Sequence, residues 1–148
     1  MELESLYQQI ILDHYKRKVG YGIDHGGYPS HQYNPTCGDE INLQVLLSAD
    51  GSTIESIEWE GTGCSISQAS ASMLAAESKG MTLAEFETFA GGFRDAMRSR
   101  GAIVLGEEEY GDLASLSGVS KFVARVKCAM LAWVAAEDSV TLTRGSLN

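Results

Sequence analysis

A chain of 148 residues, 44% of them hydrophobic, is long enough for one ordinary core and too short for two comfortable domains, so a single unit spanning 1–148 is expected. Twenty Asp and Glu against eleven Lys and Arg give a formal net charge of -9, which argues against nucleic acid and membrane as partners, the one dense basic run being Lys16-Arg17-Lys18. No apolar run reaches membrane-spanning length, the N-terminus lacks an apolar signal segment, and three cysteines cannot all pair internally, so the expectation is a cytoplasmic protein with metal or thiol chemistry.

From Leu3 the positions Leu6, Tyr7, Ile10, Ile11, His14 and Tyr15 recur at helical spacing, and the basic triplet followed by Gly20 suits the negative end of that helix. His14 is read as a packed or hydrogen-bonded member of its buried face. Residues 20 to 33 hold glycines, Pro29, His25 and His31 without periodicity, which predicts a mobile loop whose histidines are not ligands. Next comes Asn34-Pro35-Thr36-Cys37-Gly38-Asp39. Pro35 fixes one backbone dihedral and Gly38 permits a sharp reversal, so a thiolate and a carboxylate two positions apart can face one ion. Zinc or iron is the expected ion.

Alternation of Ile41, Leu43, Val45 and Leu47 with Asn42, Gln44 and Leu46 predicts a strand, Asp50-Gly51 a turn, and Ile54 to Trp59 an antiparallel partner with Ile57 and Trp59 inward and Glu58 outward. Such a hairpin sets Cys37 and Cys64 at one end. Cys64 then opens a helix running to about Lys79, where free backbone N–H groups favour a thiolate. The small residues at 69 to 72 permit close approach of another element. Thr82 with Glu85 forms a capping box for a helix whose stripe is Leu83, Phe86, Phe89, Phe93 and Met97. An excursion follows at 100–118, solvated at Glu107-Glu108-Glu109 and tucked in at Leu113 and Leu116. The last helix is expected from near Val119 through Phe122, Val126 and Leu131 to Ala135, offering Cys128 from a rigid support, with Arg125 and Lys127 as cations that could lower its pKa. Cys37, Asp39, Cys64 and Cys128 together make a three-sulphur, one-oxygen set. Four protein ligands leave no position for water, which argues against a hydrolytic zinc enzyme.

The stretches Asn34 to Asp39, Gly61 to Met73 and Gly118 to Trp133 resemble the NifU/IscU-like iron-sulphur assembly proteins, and within them the zinc-containing SufU branch. The resemblance runs from Leu6 to about Trp133. It implies an α+β fold, a small antiparallel sheet of about three strands covered by helices, with the region around 100–118 as an insertion. It also implies that Cys37, Asp39, Cys64 and Cys128 take the places of the family's metal ligands. Lys127 stands where the scaffold proteins carry a histidine, the Leu-Pro-Pro-Val-Lys stretch read by their chaperone is absent, and the segment between Cys64 and Cys128 is longer; these features resemble SufU. The implied activity is zinc-dependent sulphur relay, in which Cys37 accepts persulphide sulphur from a pyridoxal-phosphate-dependent, SufS-like cysteine desulphurase and passes it towards a downstream iron-sulphur scaffold. Two other readings stay open: a scaffold assembling a [2Fe-2S] cluster on the same cysteines, and a zinc-stabilised binding module without transfer chemistry.

Overall fold

The computed structural model describes residues 3–146. A three-stranded antiparallel sheet in the order β1-β2-β3 is built from β1 (Ser30–Asn34), β2 (Asp39–Leu47) and β3 (Ile54–Thr62). The helices are α1 (Leu3–Arg17), α2 (Ser65–Ser78), α3 (Leu83–Arg98), a short α4 (Glu107–Tyr110) and α5 (Val123–Ser146), with a 3-10 segment at Gly111–Lys121.

The expected hairpin forms, with Leu43 opposite Trp59 and Val45 opposite Ile57. Because side chains alternate along a strand, Asp39 shares a face with Ile41, Leu43 and Val45, and all four are buried. α2 and α5 pack against that face. Their own contact is close because its residues are small: Ser70 donates to the Ala129 carbonyl at 2.7 Å, and the Trp133 indole N–H donates to Ser70 Oγ at 3.0 Å. Trp133 is fully buried and stacks on Phe93 of α3 with ring centroids 4.1 Å apart. The Thr82–Glu85 capping box starts α3 as expected.

His14 is buried, with Nδ1 2.8 Å from Ser72 Oγ and Nε2 2.9 Å from Asp112 Oδ2. The Asp112 carboxylate can only accept, so Nε2–H donates to it, and in the neutral ring Nδ1 then accepts from the Ser72 hydroxyl, whose oxygen also accepts the Val19 N–H. α1 is thereby tied to α2 and the 3-10 segment. The acid run is exposed while Leu113 and Leu116 are buried, as expected for the excursion.

Four expectations need correction. The loop expected at 20–33 gives way at Ser30 to β1, which runs into the expected turn at Asn34, since Ser30 to Asn34 pair with Leu43 to Asp39; a five-residue polar strand carries little hydrophobic signal and is recruited by its partner. Glu58 is on the outer face but is not solvated: the preceding segment lies across it, with the His25 ring 2.7 Å and the His25 N–H 3.2 Å from the carboxylate. Leu6 and Tyr15 are exposed, so the packed face of α1 narrows to Tyr7, Ile10, Ile11 and His14. The final helix begins at Val123, because Val119 to Lys121 continue the 3-10 segment and Phe122 is extended at its end.

Candidate metal centre

The sharp turn between β1 and β2 raises Cys37 to the surface. Asn34 accepts the Thr36 N–H on its side-chain oxygen at 3.2 Å and the Gly38 N–H on its carbonyl at 2.8 Å, while Gly38 takes a left-handed φ of 72° that only glycine adopts readily. Cys37 is exposed, and one residue beyond Gly38 the chain enters β2 with Asp39 turned inward.

Cys128 comes from the second turn of α5 and is buried. Its sulphur lies 3.3 Å from that of Cys37, and ligand atoms of Cys37, Asp39 and Cys128 all fall within 4.8 Å of one another. Cys64 stands outside this tight group. It is the residue immediately before α2, half-buried, with its sulphur 3.9 Å from Ser67 Oγ and its backbone N–H donating to Asp39 Oδ1 at 2.9 Å. Neither His25 nor His31 joins the cluster: His25 lies on Glu58 and His31 on Glu40.

Burial pushes the Cys128 thiol well up, and the neighbouring Asp39, Cys37 and Cys64 groups push the same way. The expected lowering by Arg125 or Lys127 does not occur, because both side chains are exposed and lie outside the group that faces the sulphur. Asp39 carries a second peculiarity. Its Oδ2 is buried without any hydrogen-bond partner, and an orphaned buried carboxylate oxygen is costly. A cation among these donors would satisfy that oxygen and offset the crowding of anionic groups, and thiolates with one carboxylate form a donor set suited to zinc.

The residues that make room for this arrangement were missed in the sequence. A Cβ on Gly63 would collide with Asp39 Oδ1 and Ser67 Oγ, so glycine there lets the carboxylate reach the Cys64 N–H. Ser67 in turn donates to the Cys64 carbonyl at 3.0 Å. The paired glycines before Cys64 were the available signal.

The NifU-like N terminal domain family matches residues 6–129. The chain is 41% identical over 143 residues to the zinc-dependent sulfurtransferase SufU of Bacillus subtilis (strain 168), covering 97% of this chain and 95% of that protein. It is 36% identical over 139 residues to the iron-sulfur cluster assembly scaffold protein IscU of Streptococcus pyogenes serotype M1, covering 94% of this chain and 85% of the other. Among solved structures, a putative iron-sulfur cluster assembly scaffold protein for the SUF system from Fervidobacterium islandicum AW-1 superposes with a TM-score of 0.77 at 27% identity, covering 94% of this chain and 99% of that one.

Proposed function

The chain belongs to the NifU-like N-terminal domain family, and from that premise we propose that it is a zinc-dependent sulphur acceptor serving iron-sulphur cluster assembly in the cytoplasm. The observation that carries the reading is the exposure order of the thiols: Cys37 is exposed on a turn, Cys64 half-buried and Cys128 buried. A thiol that must meet a donor's sulphur directly has to be the one at the surface.

Cys37, Asp39, Cys64 and Cys128 would hold the zinc. When bound, zinc keeps thiols deprotonated without oxidising them. In the transfer, the Cys37 thiolate attacks the outer sulphur of a persulphide carried by a cysteine desulphurase. A new sulphur–sulphur bond forms at Cys37, the donor's own sulphur–sulphur bond breaks, and the donor cysteine leaves as a thiolate, with no net oxidation. The Cys37 persulphide is then handed to a downstream iron-sulphur scaffold.

The test is mass spectrometry of the intact chain after incubation with a pyridoxal-phosphate-dependent cysteine desulphurase and cysteine, with peptide mapping. One added sulphur on Cys37, absent from Cys37→Ala, is the expected result. Sulphur first on Cys64 or Cys128, with Cys37 unmodified, would overturn the assignment. A second reading, a scaffold holding a [2Fe-2S] cluster on the same thiols, is favoured by the scaffold names of two relatives. Stoichiometric iron and acid-labile sulphide in place of zinc, in the protein as purified, would select it.

A further inference from the structure

Resting on the sulphur-acceptor reading, we infer that a groove between α1 and the 3-10 segment is the docking site of the sulphur donor, and that the donor fills it with an apolar side chain on an acidic segment. The groove encloses about 640 Å³, and Tyr7, Ile11, Ile66, Val119 and Phe122 supply its apolar lining. It opens beside the thiol cluster. Ile66 follows Cys64 by two residues in α2, and Arg125, at the rim, precedes Cys128 by one helical turn.

Phe122, which lines the groove, is 61% exposed, and Val123, the next residue in the chain, is 65% exposed, so a large apolar side chain meets water at the groove and another follows it directly in sequence. Contiguous exposed apolar surface of this kind marks an interaction site, and aromatic anchors dominate the energy of such sites. The charge around it is the reverse of the whole chain. Lys121 and Arg125 line it, and among the described residues neither pairs with a carboxylate, in a protein of net charge -9. Glu107, the acid that reaches the groove, is engaged by the Tyr7 hydroxyl at 3.3 Å. A local positive rim on an acidic protein steers an acidic partner patch to this face. A second copy of the chain fits poorly, since a twofold contact would set this cationic rim against itself and bring two strongly acidic chains together.

The experiment titrates this protein, zinc-loaded, against a purified cysteine desulphurase and follows alanine production. Phe122→Ser and Lys121→Glu, both at exposed positions, should each keep the zinc content and melting temperature of the wild type. Each should raise the half-saturating concentration, the pair together by roughly tenfold, with the maximal rate retained. Added salt should weaken the wild type more than Lys121→Glu. Control changes at exposed apolar residues that line no part of the groove, Tyr28→Ser and Leu142→Ser, should stay within about twofold. Wild-type stimulation with unaltered half-saturation in both groove variants would overturn the docking site alone. A wild-type dimer that Phe122→Ser disperses would overturn it in favour of a second copy as occupant. Absence of any stimulation or binding by the wild type would overturn the acceptor reading, and this inference with it.

Discussion

Asp39 accepts the backbone N–H of Cys64 at 2.9 Å through Oδ1 and leaves Oδ2 buried and unpartnered beside two thiols. One side chain thus ties the start of β2 to the start of α2 and still offers an oxygen to the cluster. The two oxygens make separable contributions.

Asp39→Asn keeps the shape and an acceptor for Cys64 but removes the buried charge. Its chelator-treated form should melt no lower than the wild type, while zinc affinity falls by at least about tenfold. Asp39→Ala also strands the Cys64 N–H, at a cost of about 1–3 kcal/mol, so its chelated form should melt below the wild type. Calorimetry of both variants with and without zinc checks this; indistinguishable variants would refute the division of roles.

Gly63→Ala introduces a Cβ against Asp39 Oδ1 and Ser67 Oγ, both of which are side-chain atoms close to the thiols. The fold can yield by rotating Asp39 away, and the cluster then loses its oxygen. Zinc retention during dialysis against a competing chelator should drop sharply while the circular dichroism spectrum is preserved. A variant that keeps zinc as the wild type does would show that Asp39 is dispensable.

Metal removal should destabilise the whole molecule, because the proposed donors come from the β1–β2 turn, the start of β2, the start of α2 and α5, and an ion bound only in the folded state stabilises it by linkage. At free zinc about 100 times its dissociation constant the linkage amounts to about 2.7 kcal/mol. A melting temperature unchanged after verified zinc removal would contradict this.

In the metal-free protein, alkylation by iodoacetamide should follow exposure, with Cys37 first, Cys64 next and Cys128 last. Zinc should suppress the Cys37 rate most. Peptide mapping at partial modification gives the order, and early labelling of Cys128 would show that α5 does not bury it in solution.

The segment crossing the outer face of the sheet should respond to pH through His25 and Glu58. The hydrogen bond that the His25 ring donates to Glu58, and secondly the charge of Glu58, raises His25 above its ordinary 6.5. Burial pushes Glu58 up, but hydrogen bonds from the His25 ring, Gln44 and the His25 backbone outweigh it, so Glu58 lies below its ordinary 4.5. The raised histidine contributes stability that is complete below 6.5 and is lost as pH rises through its higher folded value. The depressed carboxylate contributes stability that is complete above 4.5 and is lost as pH falls through its lower folded value. Hydrogen exchange at residues 22–28, corrected for intrinsic rates, should therefore be slowest between those two values and faster at pH 8.5. His25→Gln should abolish the alkaline difference; a pH-independent wild-type profile would dismiss the pair as a tether.

The hairpin, the α3 capping box and the helix that starts beyond Cys64 were legible because each rests on a local rule: strict alternation at Ile41 to Leu47, a reciprocal bond between Thr82 and Glu85, and glycines giving way to helix formers at Cys64. β1 was not legible. Ser30 to Asn34 has no apolar phase of its own and becomes a strand because the turn at 35–38 folds it back onto β2. The start of α5 was placed too early for a related reason: the 3-10 segment through Val119 buries its apolar residues as a helix would, and periodicity does not distinguish the two over so short a run.

By itself the sequence singled out the side chains proposed to carry the chemistry, since three cysteines, an aspartate beside one of them and the turn residues around it are features of composition and local geometry. Strand phase even held the burial of Asp39, which alternates with Ile41 and Leu43 onto the core face. Only the tertiary structure decided how far apart the donors stand and which thiol meets solvent. The 3.3 Å approach of Cys37 and Cys128 joins residues 91 positions apart, and it follows from the seating of α5 across the sheet beside the small-residue face of α2. Distances of that kind are set by packing across elements, where the size of Ser70 and the missing Cβ of Gly63 count for more than any local pattern.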